Sequence, residues 1–369
     1  MLGNCLLVGL VAVPLSGACS QAAIREAAND LSTVQKTLLS TPLGDEMDTR
    51  IRPAVRQDIV KMKNHIAHLA EAYMACQPLT SNAETVQHDL SALASAKDSI
   101  QGNDTKYGSG LAFQVASNDR LISITAAFGI KCGSDAMLLI FEPRQNSWAE
   151  ALRWQSPPYN EVSGAFWSFQ HKISPPDVNG KWFVVTSRVK PWCSSTWSSI
   201  EYAILRPGPK VLLKRTEEMW WGGEDFGKLT ATEGSAEIRY HSSSIDLGIH
   251  NRLYLRHYEI KGDTVKRTQP VAESPRDFVD EWLVSPWSEA QHWSAPGLEA
   301  LHVRAKDHAY EFESVKMCSA DAVQVALTDT KTDQVRYFRV TGQTNFTMTK
   351  IRTTPDPGCS GPNLLSDNQ

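Results

Sequence analysis

LISITAAF at residues 121–128 has three counterparts in the chain: KWFVVTSRV at 181–189, AEIRYHS at 236–242 and AVQVALT at 322–328. Each run is rich in β-branched and aromatic residues and lies between clusters of Gly, Pro, Asn, Asp or Ser, the pattern of a strand rather than a helix. Working outward, each is preceded by a second strand-like run, at 111–116, 164–173, 226–230 and 309–315. Each is followed by a hairpin: 137–141 with 148–154, 200–205 with 211–215, 253–260 with 264–268, and 335–340 with 346–352. The unit is four strands, A to D, repeated four times, with an insertion at 271–307 enlarging the last interval. Small sheets repeated radially protect their own edges. The pattern therefore predicts a mainly β chain, a β-propeller-like array of about four four-stranded units over residues 104–369, with a large β-sandwich as the alternative.

Upstream of residue 104 the character is helical. Ile24, Ala27, Leu31, Val34 and Leu38 recur at steps of three and four, as do Val55, Ile59, Met62, Ile66, Leu69 and Tyr73, each set forming one helical face. Pro53 stands where a helix tolerates a missing N–H. Ser81-Asn82-Ala83-Glu84 reads as a capping box for a third helix through Val86, Leu90 and Leu93, with Ser81 as the cap. Residues 19–103 are expected to form an amphipathic helical segment, either packed as a small bundle or offered to a partner.

The apolar run CLLVGLVAVPL at residues 5–15, followed by Ser16-Gly17-Ala18, has the length of an export signal's core and small residues at its end, which predicts a signal peptide at 1–18. Cys19 behind Leu15-Ser16-Gly17-Ala18 resembles a lipoprotein processing site, although the leucine lies one position too far upstream. This raises the expectation of a lipid anchor at Cys19. Export gives the other cysteines a role, because disulfides persist in oxidising compartments. If the four-strand parity holds, Cys132 and Cys193 occupy matching loops of neighbouring units and are expected to pair. A bridge from Cys318 to Cys359 is the weaker expectation, leaving Cys76 as the odd thiol, or as the partner of Cys19 if that residue carries no lipid.

Composition narrows the function. With 37 Lys+Arg against 41 Asp+Glu and no basic cluster, the chain lacks the electrostatic footprint of a nucleic-acid binder. No motif for a metal, nucleotide or other cofactor is present, nor a nucleophile elbow, so no cofactor and no metal are expected. In a meander the A–B and C–D turns leave one end of a sheet, and the B–C and D–A connections leave the other. The second set is long and holds seven of the 11 tryptophans: Trp192, Trp197, Trp220, Trp221, Trp282, Trp287 and Trp293. Indole faces suit sugar rings and partner side chains. Residues 220–226, WWGGEDF, add Glu224 and Asp225 as acceptors for hydroxyl groups, and His250 falls in the same loop set.

The sequence thus predicts an extracytoplasmic, non-catalytic binding protein that recognises a saccharide or a protein through Trp192, Trp197, Trp220, Trp221, Glu224, Asp225 and His250. The alternative is a glycoside hydrolase or lyase using Glu224 or Asp225 with a second carboxylate such as Asp246 or Asp280, since two carboxyl groups must flank a scissile glycosidic bond. No membrane-spanning segment is expected in the mature chain.

Overall fold

The computed structural model describes residues 19–43, 51–95, 106–118, 120–131, 133–156, 168–191, 197–208, 210–220, 227–246, 252–306 and 308–365. The chain divides into two compact units, Met1–Val162 and Ser163–Gln369.

The first unit joins three helices to one sheet. Helix α1 (Gln21–Leu39) begins at Ser20, whose hydroxyl accepts the Ala23 N–H at 3.2 Å, and it buries the stripe read from the sequence, Ile24 to Leu38. Helix α2 (Pro53–Met74) starts on its proline and is buried on more than one side, since Lys63, Ala67, Ala70 and Met74 are buried beside the expected stripe. Helix α3 (Ala83–Leu93) is capped by Asn82, which accepts the Thr85 N–H at 2.8 Å, while Ser81 bonds instead to Gln77. The cap therefore lies one residue later than expected; asparagine serves that role as well as serine does. A disulfide between Cys19 and Cys76 ties the start of α1 to the end of α2, as an antiparallel helix pair requires.

Strands β1 (Ala112–Asn118), β2 (Leu121–Ile130), β3 (Gly133–Arg144) and β4 (Ser147–Gln155) form an antiparallel meander in that order. The helices pack on this sheet, and one compact unit holds both. Gln87 Oε1 accepts the Val115 N–H at 2.9 Å, and the Trp148 indole donates to Pro78 O at 3.2 Å. Gly108, at φ +73°, passes so close to Leu38 that a Cβ would lie 3.0 Å from the leucine's own Cβ. The deepest link is polar. Lys63 is 2% exposed and Asp135 0%. The Lys63 ammonium lies 3.0 Å from the Asp135 carboxylate and donates to Ser156 Oγ at 2.8 Å, and that hydroxyl donates to Asp135 at 2.6 Å.

The second unit contains three further meanders. Strands β5 (Ser168–Ile173), β6 (Val184–Pro191), β7 (Trp197–Arg206) and β8 (Lys210–Trp220) form one. Strands β9 (Lys228–Ala231), β10 (Ser235–Ser242), β11 (Arg252–Lys261) and β12 (Thr264–Arg267) form the next. The insertion carries helices α4 (Pro275–Val284), α5 (Trp287–Ala290) and α6 (Glu299–Ala305), with a short 3-10 turn at Gln291–Trp293. Strands β13 (Tyr310–Ser319), β14 (Ala322–Asp329), β15 (Gln334–Thr341) and β16 (Thr347–Arg352) complete the fold. The protein is thus mainly β, with an N-terminal helical segment and four four-stranded antiparallel sheets.

One core lies between the second and third sheets, where Phe183, Val185, Ile200 and Ile204 meet Leu229, Ile238 and Tyr258. Another joins the insertion to the fourth sheet: Phe278, Val279, Trp282 and Leu283 of α4 pack with Val323, Val325, Leu327 and Phe338. Each fully buried side chain of this kind contributes about 1.5–3 kcal/mol. A second disulfide, Cys318–Cys359, fastens the C-terminal segment, whose Leu364 N–H bonds to Val315 O at 2.8 Å. Two disulfides fit a chain that folds in an oxidising compartment. Among the described residues no helix is long and apolar enough to cross a membrane.

Replacing Lys63 with Met leaves Asp135 buried without its cation and should destabilise the first unit by about 3–5 kcal/mol. Adding Asp135→Leu should recover much of that loss. Urea unfolding followed by far-ultraviolet circular dichroism checks both; a Lys63→Met variant as stable as wild type removes the ion pair from the fold's essential contacts.

Candidate functional site

Two candidate residues of the second sheet, Trp197 and Trp220, lie at one end of it. Trp197, the first residue of β7, is the register partner of Trp220, the last residue of β8. Segments 192–196 and 221–226 therefore leave the same end of the same sheet. At the other end, the β7–β8 turn meets the β11–β12 turn: Arg206 donates to Gly262 O at 2.6 Å, and the Lys210 ammonium lies 2.5 Å from Asp263. The second and third sheets thus run side by side in one sense. The β10–β11 connection, which begins where Ser242 pairs with Arg252, belongs to the Trp197–Trp220 end. Trp192, Trp221, Glu224, Asp225 and His250 lie outside the described residues, as do Cys132 and Cys193, and Trp197 and Trp220 are described by their backbone.

Other members of the expected loop set have structural partners. Trp282 is 0% exposed and Trp293 3%, and Trp287 is packed against the same core. Trp282 and Trp293 belong to the interior and Trp287 is partly buried against it, because the insertion folds as helices against the fourth sheet. Asp246 accepts the Phe312 N–H at 3.2 Å, and Asp280 accepts Ser244 Oγ at 2.6 Å and the Ile245 N–H at 3.1 Å. Both carboxylates are engaged in holding the chain between β10 and β13. Cys19 is bonded to Cys76.

Beneath that end of the sheets lies a polar network the sequence reading did not assemble. Glu281 of α4 receives Arg252 Nη2 at 2.7 Å, Arg256 Nη1 at 2.7 Å and Arg267 Nη2 at 2.5 Å, and Ser285 Oγ at 3.1 Å. Asp280 lies 2.8 Å from Arg252 Nε, and the Arg252 guanidinium stacks 3.6 Å from the centre of the Tyr254 ring. Arg256 extends the network to Glu217 of β8, meeting its carboxylate through Nε at 3.0 Å and Nη2 at 2.7 Å. The hydroxyls of Tyr202 and Tyr240 also donate to Glu217. Tyr202 has one hydrogen and spends it there, so Tyr258, 3.0 Å away, donates to Tyr202.

The charges titrate accordingly. Burial pushes the Glu281 carboxyl up, but the guanidiniums of Arg256, Arg267 and Arg252 outweigh it and hold Glu281 well below the carboxylate range. Burial is also the largest influence on Glu217, and Arg256 with the two tyrosines reverses it, leaving Glu217 low. At Asp280 burial prevails over Arg252, and the carboxyl is raised. The arrangement holds β8, β11 and α4 together. Among the described residues there is no group of His, Cys, Asp and Glu arranged to hold a metal.

No known protein-family model matches this chain, and no curated protein matches it. Its sites therefore have to be read from its own chemistry. The network had a sequence signal of its own: Arg252, Tyr254, Arg256 and Tyr258 alternate with period two, which puts cations and aromatics on one face of β11.

Because Glu281 is held low in the folded state, its contribution is complete above its ordinary value of 4.5 and is withdrawn as the pH falls below it. Glu281→Gln should lower the opening free energy of the α4 amides by about 3 kcal/mol at neutral pH, and the gap to wild type should close as the pH drops below 4.5. Hydrogen exchange over Pro275–Val284 measures this; equal protection in the two proteins at neutral pH would refute it.

Proposed function

We propose that this chain is an exported binding protein whose four sheets form a propeller-like array and whose long connections recognise a saccharide at one end of the sheets. The observation that carries the reading is the Trp197–Trp220 register pair, which brings the connections holding Trp192, Trp221, Glu224 and Asp225 to one sheet end. Indole faces stack on the apolar C–H faces of sugar rings, and carboxylates beside them accept from sugar hydroxyls. The His250 connection departs from the neighbouring sheet at the same end and supplies a further polar group. Four consecutive meanders suit a radial array better than a sandwich, because a sandwich usually crosses its strands between two sheets. Export is supported by the apolar run at residues 5–15 and by the two disulfides. An extracytoplasmic location follows from the same features.

Titrating the purified chain with a panel of oligosaccharides and following tryptophan fluorescence should give a saturable change. The Trp197→Ala/Trp220→Ala variant should bind at least about tenfold more weakly, as expected when stacking platforms are removed. Glu224→Gln/Asp225→Asn should weaken binding less. A flat response from the wild type, or equal binding by the double-alanine variant, rules out the saccharide reading and directs the search to protein partners.

A further inference from the structure

The edge strands of the four sheets are not treated alike. On β13, the Tyr310 N–H bonds to Ile245 O at 3.1 Å and Val315 O accepts the Leu364 N–H at 2.8 Å. On β16, Met348 O accepts the Ala295 N–H at 2.8 Å, and on β1 the Val115 N–H is taken by Gln87. Strands β9 and β12 have only four residues each. Strand β8 is the longest of the edge strands. It is 11 residues long, it ends its sheet, and among the described residues no backbone N–H or C=O of β8 bonds to a segment other than β7, apart from Lys214 O, which takes Arg215 Nη1 at 3.2 Å. In a strand paired on one side, the N–H and C=O of every second residue point away from the partner and remain a template for another strand.

The side chains along that edge select the partner. Lys214, Arg215, Thr216 and Glu218 are exposed, and Glu217 is half-buried. Charge reverses about Thr216: Lys214-Arg215 on one side and Glu217-Glu218 on the other. An antiparallel copy centred on Thr216 places Lys214 opposite Glu218 twice over by symmetry, while Glu217, opposite Arg215, keeps its bonds to Arg256, Tyr202 and Tyr240. A parallel copy in register would set like charges against each other, which is destabilising. Lys214 has one carboxylate in reach, Glu201 at 3.5 Å, while Glu218 and Arg215 have no ion partner among the described residues.

We infer that β8 is a self-association edge, pairing antiparallel with β8 of a second copy about a twofold axis at Thr216 and joining two four-stranded sheets into one. The symmetry is that of an isologous dimer, in which one patch meets itself. The charges that deter a strand of arbitrary sequence are complementary to this one. The interface uses the side of the strand and is independent of the binding site proposed at its end.

Sedimentation velocity on the full disulfide-bonded chain, from low to high micromolar concentration, should show a dimer. Lys214→Glu and Glu218→Lys should each weaken dimerisation roughly tenfold or more, because each turns two attractive pairs into repulsive ones. Mixing these two variants in equal amounts should restore association, since the Glu placed at 214 then faces the Lys placed at 218 in one pair and the unchanged Glu218 faces the unchanged Lys214 in the other. Thr216→Cys should form an intermolecular disulfide mapped by mass spectrometry to position 216 on both chains, a readout that does not depend on the charge variants. A wild-type chain that stays monomeric overturns the inference. So do single-charge variants that associate as tightly as wild type, and so does a Thr216→Cys chain that does not cross-link at that position.

Discussion

Glu281 lies in the interior, 1% exposed, with three guanidiniums around one carboxylate, and that arrangement constrains the second unit more than any apolar contact does. Moving a carboxylate and its cations out of water costs several kcal/mol for each ion. The cost is recovered only where hydrogen-bond geometry is satisfied, and removing one partner then exposes the full penalty. Helix α4 consequently has a fixed address. Its apolar face, Phe278, Val279 and Trp282, is buried in the core of the fourth sheet, while Asp280 and Glu281 hold Arg252 and Arg256 on β11 of the third. Arg256 passes the constraint to Glu217 on β8, so one chain of charge-assisted bonds links three successive sheets. Hydrophobic packing is tolerant of small slippage; a carboxylate held by directional donors from two strands is not.

The first unit repeats this logic on a smaller scale. Lys63 emerges from a helix face that is otherwise apolar and meets Asp135 and Ser156 in a closed triangle. An amphipathic helix on a sheet can rotate or slide while keeping most of its buried area. A buried ammonium with a carboxylate 3.0 Å away removes that freedom, because every displaced register leaves a charge without its partner. In both units, apolar residues supply the bulk of the stabilisation and a few buried ions decide which elements meet.

This division explains what the sequence disclosed. Strand alternation and turn residues are local, so all sixteen strands and their grouping into four meanders were legible from runs such as LISITAAF and AVQVALT. The stripes of α1 and α2 were legible for the same reason. Asn82 replaced Ser81 as a cap because two adjacent residues of similar capping strength cannot be ranked by composition alone. Trp282 and Trp293 were grouped with loop tryptophans by position between strands. Their burial depends on the insertion folding back on the fourth sheet, a long-range event that spacing does not encode. The Arg252–Tyr258 alternation was visible, but its carboxylate partners at Glu217 and Glu281 lie 39 and 25 residues from Arg256 in opposite directions along the chain. The partnership of Cys19 with Cys76 likewise depends on how α1 and α2 pair.

The position of Glu217 also bears on how a site at the strand ends would work. It lies three residues before Trp220, where β8 gives way to the connection carrying Trp221, Glu224 and Asp225. Through Arg256, Tyr202 and Tyr240 the end of β8 is tied by side chains to β7 of its own sheet and to β10 and β11 of the third. A strand end so fixed presents its connection from a rigid base, and a base that does not reorganise lowers the ordering cost of binding. Buried charge at the strand end therefore bears on recognition, because it holds the Trp197–Trp220 register in place.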